Sequence, residues 1–221
     1  MSQKTVAVNM RDEKYDVYIG HVGRWGDKMY KKLVIGIDQS YTKTGISIAA
    51  DGKLLKVASI GFKGARIKSE KRKMLANTLT KVLEKNAHKA KECVVICERI
   101  RHFSHGDDGK AKDAGGFMNM AYIKATGALI AVIVDTAFEF GGVAVYSADT
   151  RSWKSQVVGT PKAIKGDKKL ATVRYVKSLG FKKDICSVNK KGEVVYDDDA
   201  ADSACIALYG FCKGRKLKLE L

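Results

Sequence analysis

The clearest pattern along the chain is an apolar run that ends on a carboxylate, and it occurs twice. Residues 33–37 lead without polar interruption into Asp38, and residues 93–97 lead in the same way into Glu98. Such runs predict strands that are buried on both faces. An unpaired ionised acid is costly to bury, so both acids should lie at exposed strand ends. A lone acid in this place is usually part of a turn, but its recurrence favours one site on which both acids converge.

The remaining periodicity predicts further strands and helices. The Asp51-Gly52 pair is typical of a tight hairpin between two short strands. Residues 125–137 are apolar nearly all round, so their helix should be a core helix that also forms a subunit interface. The further elements, in chain order, are strands over 45–50 and 54–61, helices over 66–88 and 117–140, a strand over 143–146, a helix over 167–179, a polar hairpin or loop over 184–195, and a last helix from Asp197.

The net charge of the chain indicates which class of molecule it binds. Of 221 residues, 41 are Lys or Arg and 24 are Asp or Glu, for a formal net charge of +17. Such a charge attracts polyanions, most simply the phosphates of nucleic acid. The alternatives are a basic protein that is merely soluble, or one that rests on anionic lipid.

The sequence predicts neither a membrane span nor a secretion signal. Its longest apolar run, 128–134, is much shorter than the roughly 20 residues of a spanning helix, and its first residues lack the apolar core of a signal peptide. The five cysteines form no Cys-x-x-Cys pair, which is typical of reduced thiols and argues against structural zinc. We expect a cytoplasmic protein, in a bacterial cell or a phage-infected host.

Three segments of the chain differ in character. Residues 1–32 hold two short predicted strands and a glycine-rich loop, and are predicted to form an N-terminal extension, either an arm or a hairpin. Residues 33–213 form the main domain. Residues 214–221 form a short basic tail that can trail along DNA.

The last predicted helix opens on an unusual density of acids. One or two acids at a helix start are explained by the helix dipole, but four of the six residues from Asp197 to Asp202 are Asp. Asp199 and Asp202 are spaced i, i+3, so they share one face with their β carbons about 5–6 Å apart. With Asp38 and Glu98 they make four carboxylates on three elements of a basic protein.

Four converging carboxylates repel one another and raise one another's pKa values unless cations neutralise them. Ligand sets made of oxygen alone favour Mg²⁺ or Mn²⁺ over zinc. Two such ions roughly 3.5–4 Å apart can activate water on one side of a phosphodiester and stabilise the leaving oxygen on the other. The acids therefore indicate nuclease chemistry.

Basic and aromatic side chains that can contact nucleic acid flank these acids. The segment after Glu98 carries Arg99, Arg101 and Phe103, which can bind phosphate and stack on a base. A second basic group surrounds a predicted helix start, where backbone N–H groups also face phosphate. Each of its lysines taken singly is more often only solvated; its members are Lys154, Lys162, Lys168 and Lys169.

Four motifs in order carry a resemblance to a known family. They are Gly-Ile-Asp-x-Ser from Gly36, the strand ending on Glu98, the segment from Trp153 to Gly159 followed by Gly-Asp-Lys-Lys from Gly166, and Asp-Ala-Ala-Asp-Ser-Ala from Asp199. Together they resemble the RuvC-type Holliday junction resolvases of the ribonuclease H-like superfamily, over about residues 33–213.

The resemblance implies an α/β fold, with a mixed five-stranded sheet of the ribonuclease H type flanked by helices. It implies that Asp38, Glu98, Asp199 and Asp202 hold two Mg²⁺ ions, for which Mn²⁺ can substitute. Lys154, with Lys168 or Lys169, would contact DNA near the scissile phosphate. It further implies a homodimer that cuts two symmetric strands of a four-way junction.

The leading hypothesis is therefore a metal-dependent, structure-selective endodeoxyribonuclease that resolves Holliday junctions and related branched DNA. One alternative is another ribonuclease H-like nuclease that cuts RNA–DNA hybrids or flaps, although ribonuclease H proper takes its second acid from a helix rather than a strand. The other is a junction-binding protein without cleavage, which gains nothing from carboxylates that repel phosphate.

Overall fold

The computed structural model describes residues 29–65, 67–100, 115–159 and 170–220, with side chains of the third segment from residue 123 onward. Its strands are β1 (Tyr30–Asp38), β2 (Lys43–Ala50), β3 (Lys53–Gly61), β4 (Ala90–Glu98), β5 (Ala144–Ala148), β6 (Cys186–Val188), β7 (Val194–Tyr196) and β8 (Leu217–Leu219). Its α-helices are α1 (Lys68–Asn86), α2 (Gly115–Phe140), α3 (Thr150–Trp153), α4 (Leu170–Ser178), α5 (Lys182–Ile185) and α6 (Asp198–Tyr209). A π-helical turn, Lys154–Val158, continues α3.

The described residues form a mixed six-stranded sheet in the order β3-β2-β1-β4-β5-β8. Strands β1, β4 and β5 run parallel in the middle, while β2, β3 and β8 are antiparallel to their neighbours. Helices α1 and α2 pack on one face of the sheet, and α4 and α6 pack on the other. Because both faces are covered, the central strands are continuously apolar. The predicted mixed α/β architecture is confirmed.

Several boundaries differ from the prediction. The sheet has a sixth strand, β8, formed by residues that were predicted to be a free tail; it pairs with β5. Strand β1 begins at Tyr30 rather than at 33. The segment over 184–195, predicted as a hairpin or loop, contains the β6–β7 hairpin. The predicted strands within 1–32 lie outside the described residues. No helix in the described part is long and apolar enough to cross a membrane.

Two glycines let α6 lie directly on the sheet. A β carbon on Gly36 of β1 would lie 2.3 Å from the carbonyl oxygen of Ser203 and 2.4 Å from the amide nitrogen of Ala207. A β carbon on Gly45 of β2 would lie 1.9 Å from the carbonyl oxygen of Asp199. Fully buried alanines form the facing side of α6, at positions 200, 201, 204 and 207. The first turn of α6 is thereby held against the ends of β1 and β2.

Gly36→Ala should lower the free energy of unfolding by at least about 1–3 kcal/mol, the usual cost of overpacking a well-packed site. The added methyl group meets main-chain atoms of α6, which cannot rotate away as a side chain can. Gly61→Ala is the matched control, because a β carbon there has no heavy atom within 4 Å among the described residues. Denaturant melts of the two variants provide the measurement. Equal stability of both variants would contradict the close contact.

Candidate active site at the ends of the central strands

The register of the two parallel strands brings the first two acids together. Val34 of β1 lies beside Val94 of β4, and Gly36 lies beside Ile96. Two residues further along each strand lie Asp38 and Glu98, on strands about 4.8 Å apart. Both acids face the α6 side of the sheet, as Val34, Val94 and Ile96 do, because alternate residues of a strand share a face. The two carboxylates lie close enough that Glu98 contributes to the raised pKa of Asp38.

Asp199 and Asp202 of α6 complete the cluster of carboxylates that Asp38 and Glu98 begin. Asp199 lies in the first turn, over Gly45, which is the partner of Asp38 in the β1–β2 ladder. Asp202 follows one turn later, and its Oδ2 forms an ion pair with Lys154 Nζ at 3.1 Å. Its Oδ1 is buried and has no hydrogen-bond partner among the described residues. The structure thus brings all four predicted acids to one end of the sheet.

Asp197 has a different role from that of its neighbours. Its Oδ1 accepts the Ala200 N–H at 2.9 Å and so caps α6. Its Oδ2 accepts the Ser59 hydroxyl at 2.6 Å, and Lys43 Nζ lies 2.8 Å from its Oδ1. These contacts explain Asp197 as a helix cap that ties α6 to β2 and β3. Of the acids that cluster at the start of α6, Asp197 therefore caps the helix, while Asp199 and Asp202 belong to the candidate site.

Burial, together with the crowding of carboxylates, raises the pKa values of two of these acids. Burial, reinforced by the charges of Glu98, Asp202 and Asp199, raises the pKa of Asp38 well above its ordinary 3.8. Burial and the neighbouring Asp198 raise the pKa of Asp199 to about 6, although Lys43 acts in the opposite direction. Both raised pKa values indicate that the ionised carboxylate is disfavoured at its position, because too little positive charge or solvent stabilises it there.

The donor set fits a hard divalent cation in its chemistry. All four donors are carboxylates, Asp202 Oδ1 lacks a hydrogen-bond donor in the described part of the chain, and the raised pKa values indicate missing positive charge. Mg²⁺ and Mn²⁺ prefer such oxygen ligands. Within the described ranges, no group of three His, Cys, Asp or Glu residues forms a ready-made metal site.

Two polar residues that the sequence does not single out hold Glu98. Thr150, at the start of α3, donates its hydroxyl to Glu98 Oε1. Gln39 bonds the main chain of Glu98 through both ends of its side-chain amide. Neither residue belongs to a sequence motif, because each comes to contact Glu98 only when the chain folds. Only their positions, one after Asp38 and the other after β5, point to the site.

Lys154 and Arg99 are the predicted DNA contacts within the described residues. Lys154 begins the π-helical turn, its side chain is 41% exposed, and its Nζ lies 4.8 Å from the ring centroid of Trp153. Arg99 Nε instead donates to the Ser147 hydroxyl at 3.2 Å, and that hydroxyl donates to Glu220 Oε1 at 2.6 Å. The other predicted contacts lie outside the described residues; they are Arg101, Phe103, Lys162, Lys168 and Lys169.

No protein-family profile matches the sequence, and no curated protein does. Solved structures are similar in fold. The Thermus thermophilus RuvC structure superposes with a TM-score of 0.50 and 21% identity, over 80% of this chain and 91% of that one. The structure of T. thermophilus RuvC in complex with a Holliday junction substrate gives a TM-score of 0.51 and 20% identity, over 80% and 90% of the two chains. The chain therefore has the fold of Thermus thermophilus RuvC.

Proposed function

We propose that this protein is a metal-dependent endodeoxyribonuclease that resolves Holliday junctions and related branched DNA by paired strand cleavage. The observation that carries the proposal is the pair Asp38 and Glu98, each one residue beyond the last register pair of β1 and β4, beneath the acid-bearing face of α6. The shared fold adds support, since one RuvC of that fold has been solved with a Holliday junction substrate. We infer that the chain is a RuvC-type resolvase on these grounds together with the four sequence motifs.

In this proposal Asp38, Glu98, Asp199 and Asp202 hold Mg²⁺, with Mn²⁺ as a substitute. Two bound ions would supply an activated water and charge stabilisation at the leaving oxygen. The chain's own groups prepare the site for that chemistry. Thr150 orients the Glu98 carboxylate. Lys154, already beside Asp202, offers a cation to the phosphate next to the cut, and its departure from Asp202 would free that carboxylate.

The surrounding charge supports nucleic acid as the substrate. The net charge of +17 remains after the acids of the site are counted, so the rest of the surface is more positive still. Such a surface binds phosphates through release of condensed counterions. The remaining proposed DNA contacts are Arg99, Arg101, Phe103, Lys162, Lys168 and Lys169, with Lys168 or Lys169 nearest the scissile phosphate.

A homodimer suits the symmetric substrate, because a four-way junction presents two equivalent strands to two active sites. Helix α2 offers a surface for a second copy. It is apolar through most of its length, yet Ala131 is exposed and Phe138 is 83% exposed. Apolar surface of this kind is often covered in an oligomer. The two alternative functions, cleavage of RNA–DNA hybrids or flaps and junction binding without cleavage, predict different outcomes in the assay that follows.

In Mg²⁺ the purified protein should cut a labelled four-way junction at symmetric positions. It should cut a flap or an RNA–DNA hybrid more slowly. Glu98→Gln and Asp199→Asn should each slow cleavage by more than about 100-fold, since even partners of metal ligands cost 10–100-fold when mutated. Both variants should still bind the junction, because basic side chains hold the DNA. Denaturing gels measure the cuts, and gel shifts measure the binding.

Glu84→Gln is the matched control in this assay, because it makes the same change at an exposed site on α1. Undiminished cleavage by both acid variants would contradict the site assignment. Faster cutting of the hybrid would favour a ribonuclease H-like activity. Tight junction binding by the wild type with no cut in Mg²⁺ or Mn²⁺ would favour a purely binding role.

Asp38→Asn should stabilise the metal-free protein at pH 8 while it abolishes cleavage. The folded pKa of Asp38 lies above its ordinary 3.8, so the cost of ionising it is fully present above the folded pKa and disappears as pH falls below the unfolded value. The rise in melting temperature should be about 2–4 °C for each kcal/mol relieved. It should largely vanish at about pH 3, below the ordinary 3.8, where Asp38 is mostly protonated in both states of the wild type.

Melting curves in EDTA at the two pH values test this, with Glu84→Gln as the charge-matched control. Added Mg²⁺ should raise the melting temperature of the wild type and leave that of Asp38→Asn nearly unchanged. A wild-type protein as stable in EDTA at pH 8 as the variant would contradict the proposed crowding of charge.

Junction binding in EDTA should weaken steeply with salt. If six or more phosphates are neutralised, affinity should fall by about 10³-fold between 50 and 200 mM salt. Fluorescence anisotropy with a labelled junction gives the slope, and Lys154→Ala should reduce it by about one unit. Lys85→Ala, at an exposed site on α1, should have a smaller effect. A flat salt response would contradict phosphate binding by the basic surface.

A further inference from the structure

Gln39 is a buried polar residue whose two side-chain hydrogen bonds, within the described part of the chain, both go to the main chain of Glu98. It follows Asp38 directly, and only 5% of it is exposed. Its Nε2 donates to the Glu98 carbonyl oxygen at 2.6 Å. Its Oε1 accepts the Glu98 N–H at 3.1 Å. A side chain that served only to fill space would need neither bond.

These two bonds extend the β1–β4 ladder beyond the point where the backbones pair. The main-chain register between the strands runs to Ile37 and Cys97, after which β1 turns away toward β2. A side-chain amide carries the same donor and acceptor as a peptide group. Gln39 therefore supplies the ladder step that the backbone of β1 no longer provides.

The other side of Glu98 is held by β5. Glu98 is the register partner of Ala148, and the Arg99 N–H donates to the Ala148 carbonyl at 2.8 Å. With Gln39 on one side and β5 on the other, the last residue of β4 behaves as an interior residue of the sheet rather than a frayed strand end. Its carboxylate is then fixed further by the Thr150 hydroxyl.

The distance between the Asp38 and Glu98 carboxylates decides whether the two can bind a metal ion together. Ligand groups must be held to within about 0.5 Å of the productive geometry to work together. Because Gln39 is bonded covalently to Asp38 and through hydrogen bonds to Glu98, it links the two acids through one short, buried connection. Without it, the last main-chain pairing between the two strands would be at Ile37 and Cys97, one residue before each acid.

We propose that Gln39 is a positioning residue that sets the distance between Asp38 and Glu98 and thereby tunes the affinity of the site for its divalent ion. The inference rests on the proposed function in one respect, the role of these two acids as metal ligands. It adds a residue that touches neither metal nor DNA and acts only through the main chain of Glu98.

The test compares Gln39→Met with the wild type in the full-length protein. Methionine has nearly the same volume and length and forms neither bond. Asn86→Leu is the control, because it removes another side-chain amide that bonds main chain, here the Val82 carbonyl at 2.7 Å. Asn86 is the last residue of α1, four residues before β4 begins, and β4 itself runs about 25 Å from Ala90 to Glu98. If Gln39→Met does not fold, Gln39→Asn replaces it, since its shorter amide cannot span both bonds.

Three readouts separate positioning from general stability. Electron paramagnetic resonance of free Mn²⁺ gives the metal affinity without any cleavage. Hydrogen exchange of the peptide that contains Glu98 reports whether its N–H has lost a partner. Anisotropy with the junction in EDTA reports DNA binding without metal.

We expect Gln39→Met to bind Mn²⁺ about 10–100-fold more weakly, with faster exchange at Glu98 and unchanged junction affinity in EDTA. The Mg²⁺ concentration for half-maximal cleavage should rise in the same proportion. Asn86→Leu should match the wild type in Mn²⁺ binding. Equal Mn²⁺ affinity for Gln39→Met and wild type, or an equal loss in Asn86→Leu, would overturn the inference.

The same experiment separates this inference from the proposed function. A wild-type protein that binds Mn²⁺ but cuts no branched DNA would refute the nuclease, and the Mn²⁺ affinities would still decide the role of Gln39. A wild type that cuts junctions while Gln39→Met binds Mn²⁺ normally would refute the role of Gln39 alone.

Discussion

The direct contact between the backbone of α6 and the backbones of β1 and β2 is the constraint on which the site depends. Gly36 and Gly45 present no side chain of their own to α6, and a β carbon at either position would meet main-chain atoms of Asp199, Ser203 or Ala207. Helices ordinarily pack with side chains interposed, at axial distances of 8–10 Å. Closer approach is what lets carboxylates on a helix reach a carboxylate at a strand end. Stability and chemistry therefore rest on the same interface.

That closeness has an electrostatic consequence within the fold itself. Carboxylates that are near enough to share a cation are near enough to repel when the cation is absent, as the raised pKa values of Asp38 and Asp199 indicate. The chain moderates the repulsion with Lys154 beside Asp202 and Lys43 beside Asp197. The site is thus a strained part of an otherwise well-packed domain, and the core on both faces of the sheet must supply the stability that the acids subtract.

The sequence predicts most of the fold and most of the acids of the site, because these depend on patterns between residues close together in the chain. Uninterrupted apolar runs reveal the central strands, and i, i+3 spacing reveals the shared face of Asp199 and Asp202. What it does not predict depends on register across the sheet. Gln39 and Thr150 gain their importance only from lying beside Glu98, and Asp197 is distinguished from Asp199 only by Ser59 and Lys43. Strand β8 is three residues long, too short for its alternation to predict a strand, and Lys218 with the preceding Arg215 and Lys216 suggests a basic tail.

An acidic site in a strongly basic protein suits a substrate that is itself a polyanion. At physiological salt the Debye length is about 8 Å, so the field of the four acids fades close to the site while the many lysines dominate farther out. In the proposed function, DNA would be attracted to the protein as a whole but repelled by the metal-free acids. A divalent ion bound there would reverse the sign of that local field, because it would neutralise the carboxylates and leave positive charge toward the phosphate. Ion and DNA should accordingly each favour binding of the other, with Gln39 and Thr150 holding Glu98 where that mutual effect is strongest.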